Sequence, residues 1–223
     1  MHWTEYAAPL LQGAWVTAQL TVYSTVLGAV LAFAAGIGKL SGNWMLKGIS
    51  VAYIEVFRGT SLLVQLFWLY FALPLAGAAI GLDLRLPPVL AGVLALGLNI
   101  GAYGAEVVRG AIQAVHTDQH EAARALNFSP RQTLWDIVIP QAVPEMMPSF
   151  GNLAVQNLKD TALVSLISLG DLTFRAEQIR NFTQDSTTIY TMVLFTYFGM
   201  ALVLTVIMRA LERYLARWRA AKG

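Results

Sequence analysis

The sequence predicts an all-α membrane protein with five transmembrane helices, and three observations carry that prediction. Of 223 residues, 57% are hydrophobic and only 13% charged, about half the charge density of an ordinary soluble domain. Residues 7–38, 59–82, 86–105 and 186–208 contain no Asp, Glu, Lys or Arg, and each window reaches the ~20 apolar residues that cross ~30 Å of hydrocarbon. A fifth window, 146–170, is interrupted only by Lys159-Asp160. Such spans must be helical, because lipid offers the backbone no partner outside the segment itself.

In chain order the spans fall at about 11–38, 57–80, 88–112, 144–170 and 187–210, within a single transmembrane domain covering residues 1–223. Residues 1–8 carry Glu5 and neither Lys nor Arg, unlike the positive start of a cleavable signal, so the first span is expected to stay. Gly28, Gly36 and Gly38 mark close helix contacts. Between spans one and two, Met45, Ile49, Ala52 and Val56 recur at helical spacing with Lys47 and Glu55 off that face, which predicts an interfacial helix leading into span two. Asp83, Arg85, Pro87 and Pro88 form a short turn, and the prolines suit the start of span three.

Residues 117–140 are polar and helical in a chain otherwise built for lipid. Thr117 or Asp118 is placed to cap a helix containing Glu121, and Asn127-Phe128-Ser129-Pro130 predicts a break into two short helices. Asn tolerates the left-handed conformation, Ser caps, and Pro is favoured at the first helical position.

Charge distribution orients the chain. If the spans alternate, eleven of the fifteen basic residues (Lys39, Lys47, Arg58, Arg109, Arg124, Arg131, Arg209, Arg213, Arg217, Arg219, Lys222) share one side, and Arg85, Arg175 and Arg180 the other. The positive-inside rule then places the amino terminus outside and the carboxyl terminus and residues 117–140 in the cytoplasm. Arg213, Arg217 and Trp218 read as a snorkelling membrane-surface end, with no nucleic-acid partner.

Chemistry is narrowly bounded. The chain has no cysteine and three histidines, His2, His116 and His120, so thiolate chemistry is excluded and no metal site is expected. No Gly-rich phosphate loop is present, so no cofactor is expected on this chain.

Two polar stripes stand out at membrane depth. Ser149, Asn152, Gln156 and Lys159 are spaced 3, 4 and 3 residues apart with Asp160 beside them, and Asn99, Tyr103 and Glu106 are spaced 4 and 3. Each set occupies a narrow arc of its helix. Polar groups there face a bundle interior or a wet cavity, so Asn99, Tyr103, Glu106, Asn152, Gln156, Lys159 and Asp160 are the candidate lining of a translocation path. The competing reading is interhelical hydrogen-bond glue, and for Glu106 with Arg109 a structural ion pair.

Glu121-Ala122-Ala123-Arg124-Ala125-Leu126-Asn127, followed by Ile137-Val138-Ile139-Pro140, resembles the Glu-Ala-Ala loop of bacterial ABC importer permeases. Tyr53-Ile54-Glu55-Val56-Phe57-Arg58-Gly59-Thr60 with Leu63-Val64-Gln65-Leu66, Gly101-Ala102-Tyr103-Gly104-Ala105-Glu106 with Arg109-Gly110-Ala111-Ile112, and Leu158-Lys159-Asp160-Thr161-Ala162-Leu163-Val164-Ser165 resemble successive segments of the polar amino-acid class of those permeases. The family commonly has Gly where this chain has Asn127, Gly-Gln where it has Asp118-Gln119, and Pro where it has Ser61. Phe57-Arg58-Gly59-Thr60-Ser61 with Leu66-Phe67-Trp68 resembles permeases for ectoine and hydroxyectoine.

The resemblance implies the type I ABC importer permease fold in the cytoplasmic (inner) membrane of a bacterium. It implies a coupling helix built from Glu121, Ala122, Ala123, Arg124, Asn127 and Phe128 that docks on ABC ATPase subunits, which hold the ATP and Mg. It also implies a second permease, identical or homologous, and an extracytoplasmic solute-binding protein delivering a small polar solute. The chain is then a transport subunit and not an enzyme. The rival is an ion-coupled secondary transporter with an intramembrane Glu106, Asp160 and Lys159 relay.

Overall fold

The computed structural model describes residues 3–220, with side chains over 6–216. His2, Lys222 and Gly223 lie outside the described residues, as do the side chains of Arg217, Trp218 and Arg219. The described residues form α1 (Trp3–Leu40), α2 (Trp44–Gly59), α3 (Leu62–Ala79), α4 (Pro88–Gln113) and α5 (Thr117–Ala125), then α6 (130–160), a 3-10 stretch Thr161–Ile167, α7 (Leu172–Thr183) and α8 (Ser186–Ala220).

Glycine decides the centre of the bundle. A Cβ on Gly28 of α1 would lie 2.3 Å from Ile100 Cγ2, and one on Gly36 would lie 2.8 Å from the Ala105 carbonyl. On α4, a Cβ on Gly101 would lie 2.9 Å from Leu31 Cβ, and one on Gly104 2.8 Å from Ala32 Cβ. Small residues facing one another let two backbones approach, the usual code for helix association where lipid removes the hydrophobic incentive. Around this pair, Leu20, Ala91, Ala95 and Leu96 pack with Val164 and Ile167. Nearer the carboxyl end of α1, Ala32, Val108 and Ile112 pack with Val138, Ala142 and Met146 of α6.

Several sequence expectations are refined by these helices. Residues 57–80 are not one helix: α2 ends at Gly59, Thr60 and Ser61 are extended, and α3 begins at Leu62. The helix of residues 144–170 runs instead from 130 to Asp160 and tightens into the 3-10 stretch. There the hydroxyls of Thr161 and Ser165 donate to carbonyls three residues back, at 2.7 and 2.8 Å, drawing those carbonyls away from the α pattern. The second of the two short helices expected over 117–140 likewise merges into α6.

Prolines shape α6 without breaking it. Pro140, Pro144 and Pro148 recur every four residues and lie on one face, so their missing N–H groups and ring clashes are confined to one side. Immediately before Pro140 the helix widens into a π turn, Thr133–Val138, with the Ile139 N–H reaching the Leu134 carbonyl. The same device precedes Pro74, where the Leu73 N–H reaches the Trp68 carbonyl. One extra residue in the turn carries the carbonyl four positions back away from the proline ring.

α7 has no counterpart among the sequence-predicted elements. Its start is fixed by Asp171, which accepts from the backbone N–H groups of Thr173 and Phe174 at 3.1 and 3.0 Å, the role an N-cap aspartate takes.

Candidate functional site

The α2–α3 elbow, α4 and the far end of α6 enclose a cavity of about 570 Å³, within the range of small-molecule sites. Thr60, Ser61 and Leu63 form one wall, Asn99 and Tyr103 a second, and Gln156, Asn157 and Asp160 a third. Both polar stripes therefore contribute: Asn99, Tyr103, Gln156 and Asp160 converge on one space. Gln156 Nε2 donates to Asp160 Oδ1 at 2.9 Å, and the Arg58 guanidinium sits 5.4 Å from the centre of the Tyr103 ring, within cation–π range.

Glu106, Asn152 and Lys159 are not among the cavity's lining residues. Glu106 is held between Lys39 Nζ at 2.6 Å and Arg109 Nη2 at 2.9 Å, joining the carboxyl end of α1 to α4. Asn152 and Lys159 are exposed, because α6 turns Ala154, Asn157 and Leu158 into the bundle instead. Asn157, which periodicity did not single out, is 2% exposed. Its amide donates to Ser24 Oγ at 2.7 Å and Thr25 Oγ1 at 2.9 Å, fastening α6 to α1. Its signal in the sequence is a polar residue next to Gln156, about 100° round the helix from it.

At the opposite end of α6, the elbow between α5 and α6 forms as its residues dictate. Asn127 takes φ 58°, the Phe128 N–H donates to the Ala123 carbonyl at 3.0 Å and the Asn127 N–H to the Arg124 carbonyl at 2.9 Å, a Schellman ending with Asn in place of Gly. Ser129 and Gln132 then cap α6 reciprocally, with Pro130 at its first position. The amino end of α5 differs from expectation: the helix starts at Thr117, His116 occupies the cap position, and no side chain bonds there. Asp118 supplies a first-turn negative charge instead.

Ala123 is the buried anchor of α5, at 1% exposed, whereas Leu126 at 71% and Trp135 at 59% stand in the open. Glu121, Ala122, Arg124 and Asn127 are exposed as well, and Phe128 is turned partly inward. The elbow thus presents charged groups around two bare apolar side chains, the composition of an interface core and rim.

A family model described as "Binding-protein-dependent transport system inner membrane component" matches residues 24–217. The chain belongs to that family. Its members are the membrane components of binding-protein-dependent transport, and this chain is a transport component and not a catalytic one. A probable amino-acid ABC transporter permease protein, y4tF, of Sinorhizobium fredii (strain NBRC 101917 / NGR234) is 68% identical over 219 residues, covering 98% of this chain and 92% of that protein. The glutamine transport system permease protein GlnP of Escherichia coli (strain K12) is 36% identical over 208 residues, covering 93% of each. Among solved structures, a chain of an amino acid ABC transporter crystallised with histidines superposes with a TM-score of 0.84 at 34% identity, covering 95% of this chain and 96% of that one. The all-helical permease fold of this family is therefore the fold of this chain.

Proposed function

We propose that this permease carries a polar amino acid through the cavity between the α2–α3 elbow, α4 and α6, driven by ATPase subunits that dock on the exposed elbow around Glu121, Ala122, Ala123, Arg124, Asn127 and Phe128. The observation that carries the reading is that α6 is one continuous helix, with the docking elbow at one end and the cavity residues Gln156 and Asp160 at the other. Closure of the ATPase pair displaces the elbow, α6 moves as a lever, and the wall bearing Gln156 and Asp160 shifts against the wall bearing Asn99 and Tyr103. This is a rigid-body switch between inward-open and outward-open states.

In this proposal α1, α3, α4, α6 and α8 are the five spans of one transmembrane domain over residues 1–223. The α-helical part of α6, Ile139–Asp160, has 22 residues, or about 33 Å at ~1.5 Å per residue, enough to cross despite its prolines. The amino terminus is outside and the carboxyl terminus in the cytoplasm. A second permease, identical or homologous, completes the pore, and an extracytoplasmic binding protein delivers the cargo. The relatives favour amino acids such as glutamine over ectoine and hydroxyectoine. A proton relay through Glu106, Asp160 and Lys159 is not favoured, since Glu106 is engaged by Lys39 and Arg109 away from the cavity.

Glu121→Lys and, separately, Arg124→Glu, both at exposed positions of the elbow, should abolish cargo-stimulated ATP hydrolysis of the reconstituted transporter while the permease still inserts. Normal stimulation in both variants would remove the docking assignment. Asp160→Asn should lower uptake while basal ATP hydrolysis continues, and unchanged uptake in both Asp160→Asn and Gln156→Ala would move the path elsewhere.

A further inference from the structure

Gln65 is an amide in the middle of an apolar run, and its partners explain why it is there. Because the chain is extended at Thr60 and Ser61, the last carbonyls of α2 lose the helical N–H groups that would have met them. Unsatisfied carbonyls at membrane depth are costly. Gln65 Nε2 lies 2.9 Å from the Phe57 carbonyl, 3.2 Å from the Thr60 carbonyl and 2.8 Å from Thr60 Oγ1. From α4, Asn99 Nδ2 donates to the same Phe57 carbonyl and to Gln65 Oε1, both at 3.1 Å. Gln65 is 9% exposed and does not line the cavity, whereas Thr60, Ser61, Leu62, Leu63 and Asn99 do.

We infer that Gln65, acting with Asn99, is a positioning residue that clamps the α2–α3 elbow and so sets the width of the cavity and the cargo it accepts. The inference rests on the cavity being the cargo path. Without the amide pair, the elbow keeps the Gln65 N–H to Ser61 carbonyl bond at 3.0 Å and the Thr60 hydroxyl to Val56 carbonyl bond at 2.7 Å as local ties. The body of α2 stays joined to α4 through the Tyr53 hydroxyl, which donates to the Leu98 carbonyl at 2.7 Å, but the 60–63 wall loses its amide link to α4 and can shift relative to it. Asn99 then serves both readings offered by the sequence: its residue borders the cavity while its amide is interhelical glue.

The chain has no native cysteine, so Ser61→Cys reports the wall directly by its maleimide-labelling rate. The experiment uses the assembled transporter in proteoliposomes, with its ATPase subunits and binding protein loaded with either of two amino acids of different side-chain size. Gln65→Leu removes the whole amide, and Gln65→Glu keeps an acceptor for Asn99 while removing the donors. Both variants are expected to change the labelling rate of Ser61→Cys and to shift the ratio of maximal uptake rates for the two cargos about fivefold, the scale of one lost hydrogen bond. The loaded binding protein should dock with unchanged affinity.

A uniform fall in both uptake rates, with labelling and cargo ratio unchanged, would overturn the inference in favour of a packing role. Failure of both variants to assemble would overturn it too, making the pair a folding element. Protection of Ser61→Cys by cargo with Gln65 intact tests the path separately. If cargo protects but neither Gln65 variant alters labelling or ratio, only the clamp falls. If cargo gives no protection and Asp160→Asn transports normally, the path reading itself falls.

Discussion

The helices α1 and α4 and the helices α3 and α8 are all apolar enough and long enough to cross a membrane, yet they are used in opposite ways. Half of the apolar window of α4 is buried within the chain, against 6% for α8 and 11% for α3. Apolarity does not separate the pairs, because in lipid an apolar side chain gains nothing by turning inward. What separates them is close approach: Gly28, Gly36, Gly97, Gly101 and Gly104 meet neighbouring atoms across the α1–α4 seam, while Gly199 of α8 has open space around it. The central pair is written in small residues, and the outer helices are written for lipid or for a partner chain. Where α8 does attach, it relies in part on polar contacts such as Tyr197 Oη to Thr173 Oγ1 at 3.0 Å.

The largest expected effect breaks the seam. A Cβ on Gly101 would already lie 2.6 Å from the Tyr53 hydroxyl, so Gly101→Val should cost at least about 1–3 kcal/mol by overpacking and abolish assembled permease in detergent gel filtration. Gly199→Val should leave that profile unchanged. Equal behaviour of the two variants would erase the contrast between seam and periphery.

Next is Asp171, which lies between the proposed spans, is fully buried and caps α7 against α1. Asp171→Ala should lower stability by about 1–2 kcal/mol, read as a drop in Tm in detergent. Burial also pushes the Asp171 carboxyl from its ordinary 3.8 up to about 6, against the lowering effect of its hydrogen bonds. A raised acid is protonated in the fold before it is protonated in the unfolded chain, so its contribution is fully present below about pH 4 and lost as pH rises through 6. Tm should therefore rise as pH is lowered from 7 to 5, and Asp171→Asn should flatten that rise.

Removing the hydroxyl in Tyr197→Phe should cost less, about 0.6 kcal/mol, the average of interhelical hydrogen bonds in membranes. The smallest effect is a gain. Gln184, in the turn between α7 and α8, holds φ 58°, so Gln184→Gly should stabilise by about 0.5 kcal/mol by relieving the left-handed strain. A loss there would mean that its Nε2 bond to the Asn181 carbonyl at 2.8 Å outweighs the strain.

Local chemistry was the legible part of this chain. The Asn127, Ser129 and Pro130 elbow, the start of α4 at Pro88, and the close contacts at Gly28 and Gly36 follow from what those residue types do to a backbone. The candidate cavity was half legible: Asn99, Tyr103, Gln156 and Asp160 lie on their expected stripes, while Glu106 belongs to an ion-pair cluster and Asn157 went unread. Periodicity assigns residues to a face of a straight helix. It does not say which face a proline-bearing helix turns inward against several neighbours.

The sequence by itself determined the all-helical membrane class, the windows long enough to span, the basic asymmetry, and the segment that has no reason to lie in lipid. Each is a property of composition or of a few adjacent residues. Only the tertiary structure decided that α6 runs unbroken from the elbow to Asp160, that α2 and α3 part at Thr60, and that Gln65 and Asn99 meet across the gap. Those outcomes depend on the carbonyls a break or a proline leaves without partners, and on which distant side chain reaches them, which no window of sequence contains.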